Sequence, residues 1–580
     1  MSAVVAHTLF GAAPIAERRT RFRLWAPAQD SVSIVLDNRD MEPMECREKG
    51  WFETVADCGA GVAYQFRLSD GRLVPDPASR AQQSDVHGPS IVVDHAAYQW
   101  RNQHWRGRPW EEAVLYELHP GTLGGFQRIA QKFPELRDLG VTAIELMPIN
   151  EFPGRHNWGY DGVLPYAPDA SYGTPDDLKA LIDAAHDHDL MVFLDVVYNH
   201  FGPDGNYLGL YAPEFFREDI RTPWGAAIDF RRPEVRDFFT NNVLQWLIDY
   251  RFDGLRFDAV HAIAEQDWIE EMAATVRAMV PPDRYVHLVL EHHNHAGHLR
   301  GYVDAQWNDD GHNVLHVLLT GETGGYYADY AAEPAKKLAR CLEQGWIYQG
   351  ETSLYLGRPR GEPSADLPPT AHVLFLQNHD QIGNRAFGER LTTLADPAAL
   401  EAAIALLLLC PQIPLLFMGE ESASRTPFLF FTDHNADLAE AVREGRRSEF
   451  AAFPEFSDPA RRSLIPDPND PDTFAASVPQ PDPDRGAFYR TLYRHLLALR
   501  RQHVVPRLKH AKAAGATAIG PKAVDARWVM GDGALLTVAV NLDGATVPFT
   551  APGGTTIFTS RDVTDGLPGF CTAVYLEVFQ

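Results

Sequence analysis

Residues 233–261 read PEVRDFFTNNVLQWLIDYRFDGLRFDAVH, and this stretch decides the fold. Its first half is helical in pattern. Val235, Phe238, Phe239, Val243, Trp246, Leu247 and Tyr250 recur at spacings of three and four and fall on one face. Gly254–Asp258 follows as a short apolar run ending in an acidic residue, which predicts a strand. The same pairing of helix and strand recurs on both sides. Upstream, strands are predicted at Ala113–Leu118, Thr142–Met147 and Leu190–Val197, with helices over 129–139 and 176–188. Downstream, a helix over 268–279 precedes strands at Tyr285–Leu290, Ala305–Asn308, His372–Gln377 and Ile413–Met418. Apolar strands alternating with helices pair in parallel with both faces covered. The fold class expected is therefore α/β, with a (β/α)8 TIM barrel at its centre.

Two stretches interrupt the repeat. Residues 201–233 form a long loop after the third strand, and residues 314–369 a helical or irregular insertion after the sixth. Long loops on the carboxyl side of a barrel shape its substrate site. Outside the barrel the period changes to two. Phe22–Trp25, Val32–Leu36 and Tyr64–Leu68 predict an N-terminal β-sandwich, and Leu535–Val540 a C-terminal one. The expected domains are 1–95, 96–504 and 505–580. Residues 454–484, rich in Pro and Asp, read as a surface excursion, followed by a basic amphipathic helix over 488–501.

Composition excludes several partner classes. The 580-residue chain carries a formal net charge of −26, which repels phosphate backbones and anionic lipid, so neither nucleic acid nor membrane is expected. The most apolar window, Ala398 to Met418, is broken by Glu401, Pro411, Gln412 and Pro414 and reads as a buried helix followed by a strand. Five cysteines without a CxxC pair suit a reducing compartment, although a Cys46–Cys58 bridge stays open. In MSAVVAHTLFGAAPIAERR the arginines follow the apolar stretch, the wrong order for a secretion signal. A cytoplasmic location is expected. Oligomeric state is not legible.

Chemistry concentrates at the strand ends, where barrel enzymes keep their catalytic groups. The third strand ends in Asp195-Val-Val-Tyr-Asn-His200 and the fourth in Gly254-Leu-Arg-Phe-Asp-Ala-Val-His261. The fifth ends in Leu290-Glu291 and the seventh in Gln377-Asn-His-Asp380. Arg256 and Asp258, two apart on one strand, point into the same mouth.

Together, in this order, the four segments resemble the short motifs of the α-amylase superfamily of glycoside hydrolases. The resemblance implies that Asp258 is the nucleophile, Glu291 the general acid and base, and Asp380 the transition-state stabiliser. It implies that His200 and His379 bond sugar hydroxyls, and that Tyr160, in Trp158-Gly-Tyr-Asp161, stacks on the same ring. Physical chemistry supports a carboxylate pair. One carboxylate attacks the oxocarbenium-like centre while a protonated partner feeds the leaving oxygen. Asp258 and Asp380 are expected to raise the pKa of Glu291, and Arg256 to keep Asp258 ionised. Trp158 and Tyr160 also read as core aromatics, and Asp195 as a structural partner of Arg256. His261 joins the candidate substrate contacts.

Finer strings resemble the maltooligosyltrehalose trehalohydrolase family. They are Asn199–Tyr207, Gln306-Trp-Asn-Asp-Asp310, Leu319–Tyr326 and Asn378-His-Asp-Gln-Ile-Gly-Asn-Arg385. That resemblance implies an oligosaccharide substrate capped by trehalose, with branching enzymes as the runner-up. It adds Asp309, Asp310, His312, Gln381 and Asn384 as sugar contacts. The chain departs from the pattern at Gly311 and Asn313, where an aromatic and paired histidines are expected.

A metal reading competes. Glu291-His-His-Asn-His-Ala-Gly-His298 sets four histidines beside a carboxylate. Such sites draw on several strands, usually with His-x-His on the first, and Glu117-Leu-His119 lacks that pair. Phe201–Asn206 lacks the carboxylates of a calcium loop. No metal and no cofactor are expected.

Overall fold

The helix read from residues 233–250 begins at Pro233, with proline in the first turn, where its missing N–H costs nothing. Its α-helical part is Pro233–Leu244, and the turn Gln245–Asp249 widens to a π-helix. Trp246 and Tyr250 are fully buried by it. The computed structural model describes residues 9–37, 40–293, 296–452 and 456–579. The reading of the N-terminus therefore falls partly outside the described residues, as do Asn294 and His295 of the histidine-rich segment and residues 454–455 of the excursion.

Eight strands close the barrel: β1 (Leu115–Leu118), β2 (Ala143–Leu146), β3 (Met191–Val196), β4 (Gly254–Phe257), β5 (His287–Leu290), β6 (Ala305–Trp307), β7 (His372–Leu374) and β8 (Ile413–Phe417). Every neighbouring pair is parallel, and β8 pairs back onto β1. Each lies within the range its apolar run predicts. Phe193, Val289, Trp307, Phe375 and Leu415 share one buried cluster in the barrel. Gly254 opens β4 because nothing larger fits: a Cβ there would lie 2.1 Å from the Phe193 ring. Truncating Phe193 would cost about 3–5 kcal/mol.

Helices wrap the outside. Pro175–Asp187 is fixed at its start by a capping box between Thr174 and Asp177. The Ala398–Met418 window resolves into helix Pro397–Leu409 and strand β8. Among the described residues no helix is long and apolar enough to cross a membrane. The loop after β3 carries a hairpin, Phe216–Thr222 with Gly225–Ile228. The insertion after β6 begins earlier than expected, with helix Asp309–Thr320, then helix Pro334–Gln344 and the hairpin Gln349–Thr352 with Pro359–Gly361.

The N-terminal region is a sandwich of two sheets. One holds Gly11–Ala16, Arg19–Trp25, Trp51–Ala56 and Glu45–Cys46; the other is built on Ser33–Leu36 and Ala63–Arg67. Phe22, Phe52, Ile34 and Phe66 fill the space between them. The C-terminal region corrects the sandwich reading in part. Its strands, Lys512–Gly520, Ala523–Val529, Leu535–Asn541, Cys571–Glu577 and Thr555–Thr559, form a single antiparallel sheet in that order. Helices Pro334–Gln344 and Pro397–Leu409 of the barrel domain cover it instead of a second sheet. Alternation reports a buried face but not what buries it. All five cysteines are free, including Cys46 and Cys58.

Candidate active site

The barrel sets polar side chains in register at its carboxyl end. Glu117 on β1 pairs in register with Glu145 on β2, and Asp195 on β3 with Arg256 on β4. Arg256 is the centre. Its side chain is fully buried, and its guanidinium lies over the Trp307 ring, 4.0 Å from the centroid. Nη1 donates to Asp195 Oδ2 at 2.6 Å and to Asp258 Oδ1 at 2.9 Å. Nη2 donates to Glu291 Oε2 at 2.8 Å. The rigid fork thus ties Asp258 and Glu291 to its two ends, which a lysine point charge would not do. Ala259, in the left-handed region at φ 41°, turns its amide to donate a second bond to Glu291 Oε2 at 2.8 Å.

A second chain of bonds runs beside it. Tyr160 Oη donates to Asp195 Oδ2 at 2.6 Å and lies 2.8 Å from His379 Nε2. His379 Nδ1 meets Glu117 Oε1 at 2.5 Å, and Nε2 is 3.5 Å from Asp380 Oδ1. Burial alone lowers the His379 pKa, but Asp380 and Glu117 outweigh it and push it up to about 9. His379 is therefore a cation at neutral pH, facing Asp380. His200 Nε2 contacts the Tyr160 carbonyl at 3.0 Å, and its ring stacks on Trp224, 47% exposed at the tip of the hairpin after β3.

The protonation pattern corrects the sequence-based expectation. Burial raises Glu291, yet Arg256, His261, His293 and the Ala259 amide outweigh it and bring it to about 2. Asp258 goes the other way: burial and the Glu291 and Asp195 charges raise it despite Arg256. One guanidinium shared among three carboxylates leaves an excess of negative charge. In the unliganded site the fork and the amide favour Glu291 for the charge. Asp195 is pushed up to about 6, mainly by burial.

Such a constellation suits acid-assisted displacement at a sugar carbon: two carboxyls on opposite ends of one fork, a third across a charged imidazole, and hydroxyl and ring groups beside them. Two comparisons decide its family. Residues 76–209 match the α-amylase catalytic domain, residues 9–79 carbohydrate-binding module 48 (isoamylase N-terminal domain), and residues 511–575 a domain of unknown function. A malto-oligosyltrehalose trehalohydrolase from Deinococcus radiodurans is 42% identical, covering 86% of this chain and 84% of its own. One from Saccharolobus solfataricus is 40% identical over 74% and 78%. The chain belongs to the malto-oligosyltrehalose trehalohydrolase family. It is a glycoside hydrolase of the α-amylase type. The crystal structure of an α-amylase-like protein from Salmonella typhimurium superposes with a TM-score of 0.92 at 44% identity, covering 98% of this chain and 100% of that one.

Within this trehalohydrolase framework some sequence-predicted contacts stand at the mouth and others do not. Asp258, Glu291, Asp380, Tyr160, His261 and Asp309 are partly exposed there. Asp309 is pushed up to about 7, first by burial and then by the Glu291 charge. Trp158 is buried behind the site. Its indole N–H donates to the Leu429 carbonyl at 2.9 Å, and its ring meets His379 edge-on. It positions that imidazole. Asp310 is buried beside Asp309, accepting bonds from Tyr330 Oη, Ile347 N and Tyr348 N, and ties down the insertion. His312 is fully buried, with Nδ1 2.7 Å from the Leu376 carbonyl. Helix Asp309–Thr320 explains both, because each residue rotates the side chain by about 100°. Gln381 caps the Asn378 amide, while Asn384 Nδ2 reaches Asp380 Oδ1 at 3.3 Å.

The departure at Gly311 has a packing cause. A Cβ there would lie 2.4 Å from Leu374 Cδ1, so a larger residue at this position requires Leu374 to move. Sequence reasoning missed Glu117, Glu145 and Trp307 as parts of the site. A glutamate near the end of an apolar strand was the available signal for the first two. Glu145 is 1% exposed, and both of its oxygens are buried without a hydrogen-bond partner. Burial, with the Glu117 and Asp195 charges, pushes its pKa well above the ordinary carboxylate range. Among the described residues no group of three or more His, Cys, Asp or Glu is placed to hold a metal ion.

Proposed function

We propose that this chain hydrolyses the α-1,4-glucosidic bond next to the terminal trehalose of maltooligosyltrehalose, with retention, releasing trehalose and a maltooligosaccharide. The observation that carries the chemistry is the Arg256 fork, which bonds Asp258 Oδ1 and Glu291 Oε2 at once. Asp258 attacks the anomeric carbon as Glu291 gives its proton to the departing trehalose oxygen. Glu291 then takes a proton from water, whose oxygen replaces Asp258 on carbon, and both residues return to their starting state. Asp380, across from cationic His379, steadies the positive charge that develops on the ring. The substrate's entry must loosen the Arg256–Glu291 bond so that Glu291 takes up a proton before Asp258 attacks.

Trehalose as leaving group rests on the family, whose members match most of the chain. Its test is product analysis on maltooligosyltrehalose, with Asp258→Ala as control. Trehalose released by the wild type and abolished in the variant is expected; no trehalose, or α-1,6 branches formed from amylose, overturns the reading. The proposed units are 1–95 for a sugar-binding sandwich, 96–504 for the barrel and 505–580 for the C-terminal sheet. A cytoplasmic location accords with five free thiols, and fractionation of cells producing the protein checks it.

A further inference from the structure

The first βα loop of the barrel opens a cleft outside the catalytic cluster. Residues Gly121–Gly124, Arg128, Gln131 and Lys132 form one wall, and Val478, Pro479 and Gln480 the other. Its volume is about 550 Å³, within the span of about 300–1,000 Å³ usual for small-molecule sites. No acidic and no aromatic side chain lines it.

Two cations face this space. Arg128 and Lys132 are exposed, and neither side chain has an ion pair or hydrogen bond to a described residue. Gly124 sits at φ +86°, and a Cβ there would lie 2.5 Å from Arg128 Cδ. The stem of Arg128 therefore lies along the bare backbone of Gly124, which directs it over the loop. Gln131 and Gln480 add amide groups to the two walls. Lys132 also borders a smaller cavity, where Arg490 and Arg494 stand with Glu135 and Glu421, whereas no acid lines the larger cleft beside Arg128.

The occupant follows from what the walls lack. A neutral glucan needs a ring face to stack on, and none is offered. An anion meets two unpaired cations, one of them a guanidinium fork that matches a phosphate edge. A phosphate monoester carries about −1.5 to −2 charges at neutral pH, enough to engage both. The remaining volume and the amides suit a small polar body attached to that phosphate. We propose that this cleft binds a small phosphate ester of the sugar-phosphate class, at a site separate from the catalytic carboxylates.

Isothermal titration tests it, with glucose 6-phosphate, inorganic phosphate and glucose as probes. The proteins are the wild type and the double variant Arg128→Gln, Lys132→Gln. Both side chains are exposed and outside the catalytic cluster, so basal hydrolysis is expected to be unchanged and reports intact folding. The wild type should bind glucose 6-phosphate saturably, and the double variant at least about tenfold more weakly. Glucose should give the same response in both proteins. Equal affinity of the two proteins for glucose 6-phosphate, or no saturable binding, overturns the proposal. Binding of inorganic phosphate without glucose 6-phosphate overturns the ester assignment.

Discussion

Arg256 Nη2 lies 2.8 Å from Glu291 Oε2, so the residue that must deliver a proton rests as a clamped carboxylate. The same guanidinium holds Asp258 and Asp195. Its removal leaves one buried and two largely buried acids without their cation. Arg256→Ala should lower stability by about 3–5 kcal/mol, the usual cost of stripping one partner from a buried pair. Arg256→Lys keeps the charge but loses the fork, and should lower kcat/KM by about 10²-fold or more with a smaller loss of stability. Chemical denaturation and steady-state kinetics on the two variants separate these effects. A lysine variant as active as the wild type would remove the fork from the mechanism.

Glu291→Ala tests the acid/base role through stereochemistry. The loss of proton transfer should lower kcat by about 10²–10⁴-fold on the natural leaving group. An activated substrate such as α-maltosyl fluoride needs no acid in the first step, so Asp258 still attacks its anomeric carbon, fluoride departs and the covalent intermediate accumulates. Azide should then accelerate turnover and give the α-glycosyl azide. A β-anomeric azide, or no effect of azide, would contradict the assignment.

Much of this was legible in the sequence. Each barrel strand lies inside its apolar run, because a strand buried on both faces cannot carry polar interruptions without cost. Asp258 and Glu291 come together because each directly follows a barrel strand, with Arg256 on β4 between them, and Asp380 and Tyr160 reach the same mouth from the segments after β7 and β2. What failed was rotation and sharing. Asp310 and His312 lie in the same polar string as Asp309, but the helix turns them into the protein. The acid expected to be raised is lowered, since neither the Ala259 amide nor the division of one fork among three carboxylates can be seen along a chain. The single C-terminal sheet was hidden for a similar reason: its cover comes from helices more than a hundred residues upstream.

Tyr160→Phe removes one hydroxyl and keeps the ring. That hydroxyl joins Asp195 to His379, so two buried groups lose a partner at once. The cost should be about 1–3 kcal/mol in kcat/KM, or roughly a tenfold to hundredfold loss. The ring keeps the stacking on the sugar that the family resemblance implies, so KM should change less than kcat. A variant whose entire loss lies in KM would assign Tyr160 to binding alone.

His379 gives the pH dependence. Its pKa rises to about 9 in the folded protein, with Asp380 and Glu117 as the causes that overcome burial. An unfolded histidine titrates near 6.5. Because the folded value is the higher one, the charged imidazole stabilises the fold fully below about pH 6.5. That contribution fades as pH rises through about 9. A shift of this size corresponds to about 3 kcal/mol. Glu117→Gln removes one of the two carboxylates and should bring the His379 pKa down, narrowing the window. Nitrogen-15 NMR of labelled histidine should show a resonance titrating near pH 9 in the wild type and lower in Glu117→Gln. Thermal midpoints between pH 6.5 and 9.5 should fall more steeply in the wild type than in the variant. Parallel curves for the two proteins would mean that Glu117 does not hold the proton on His379.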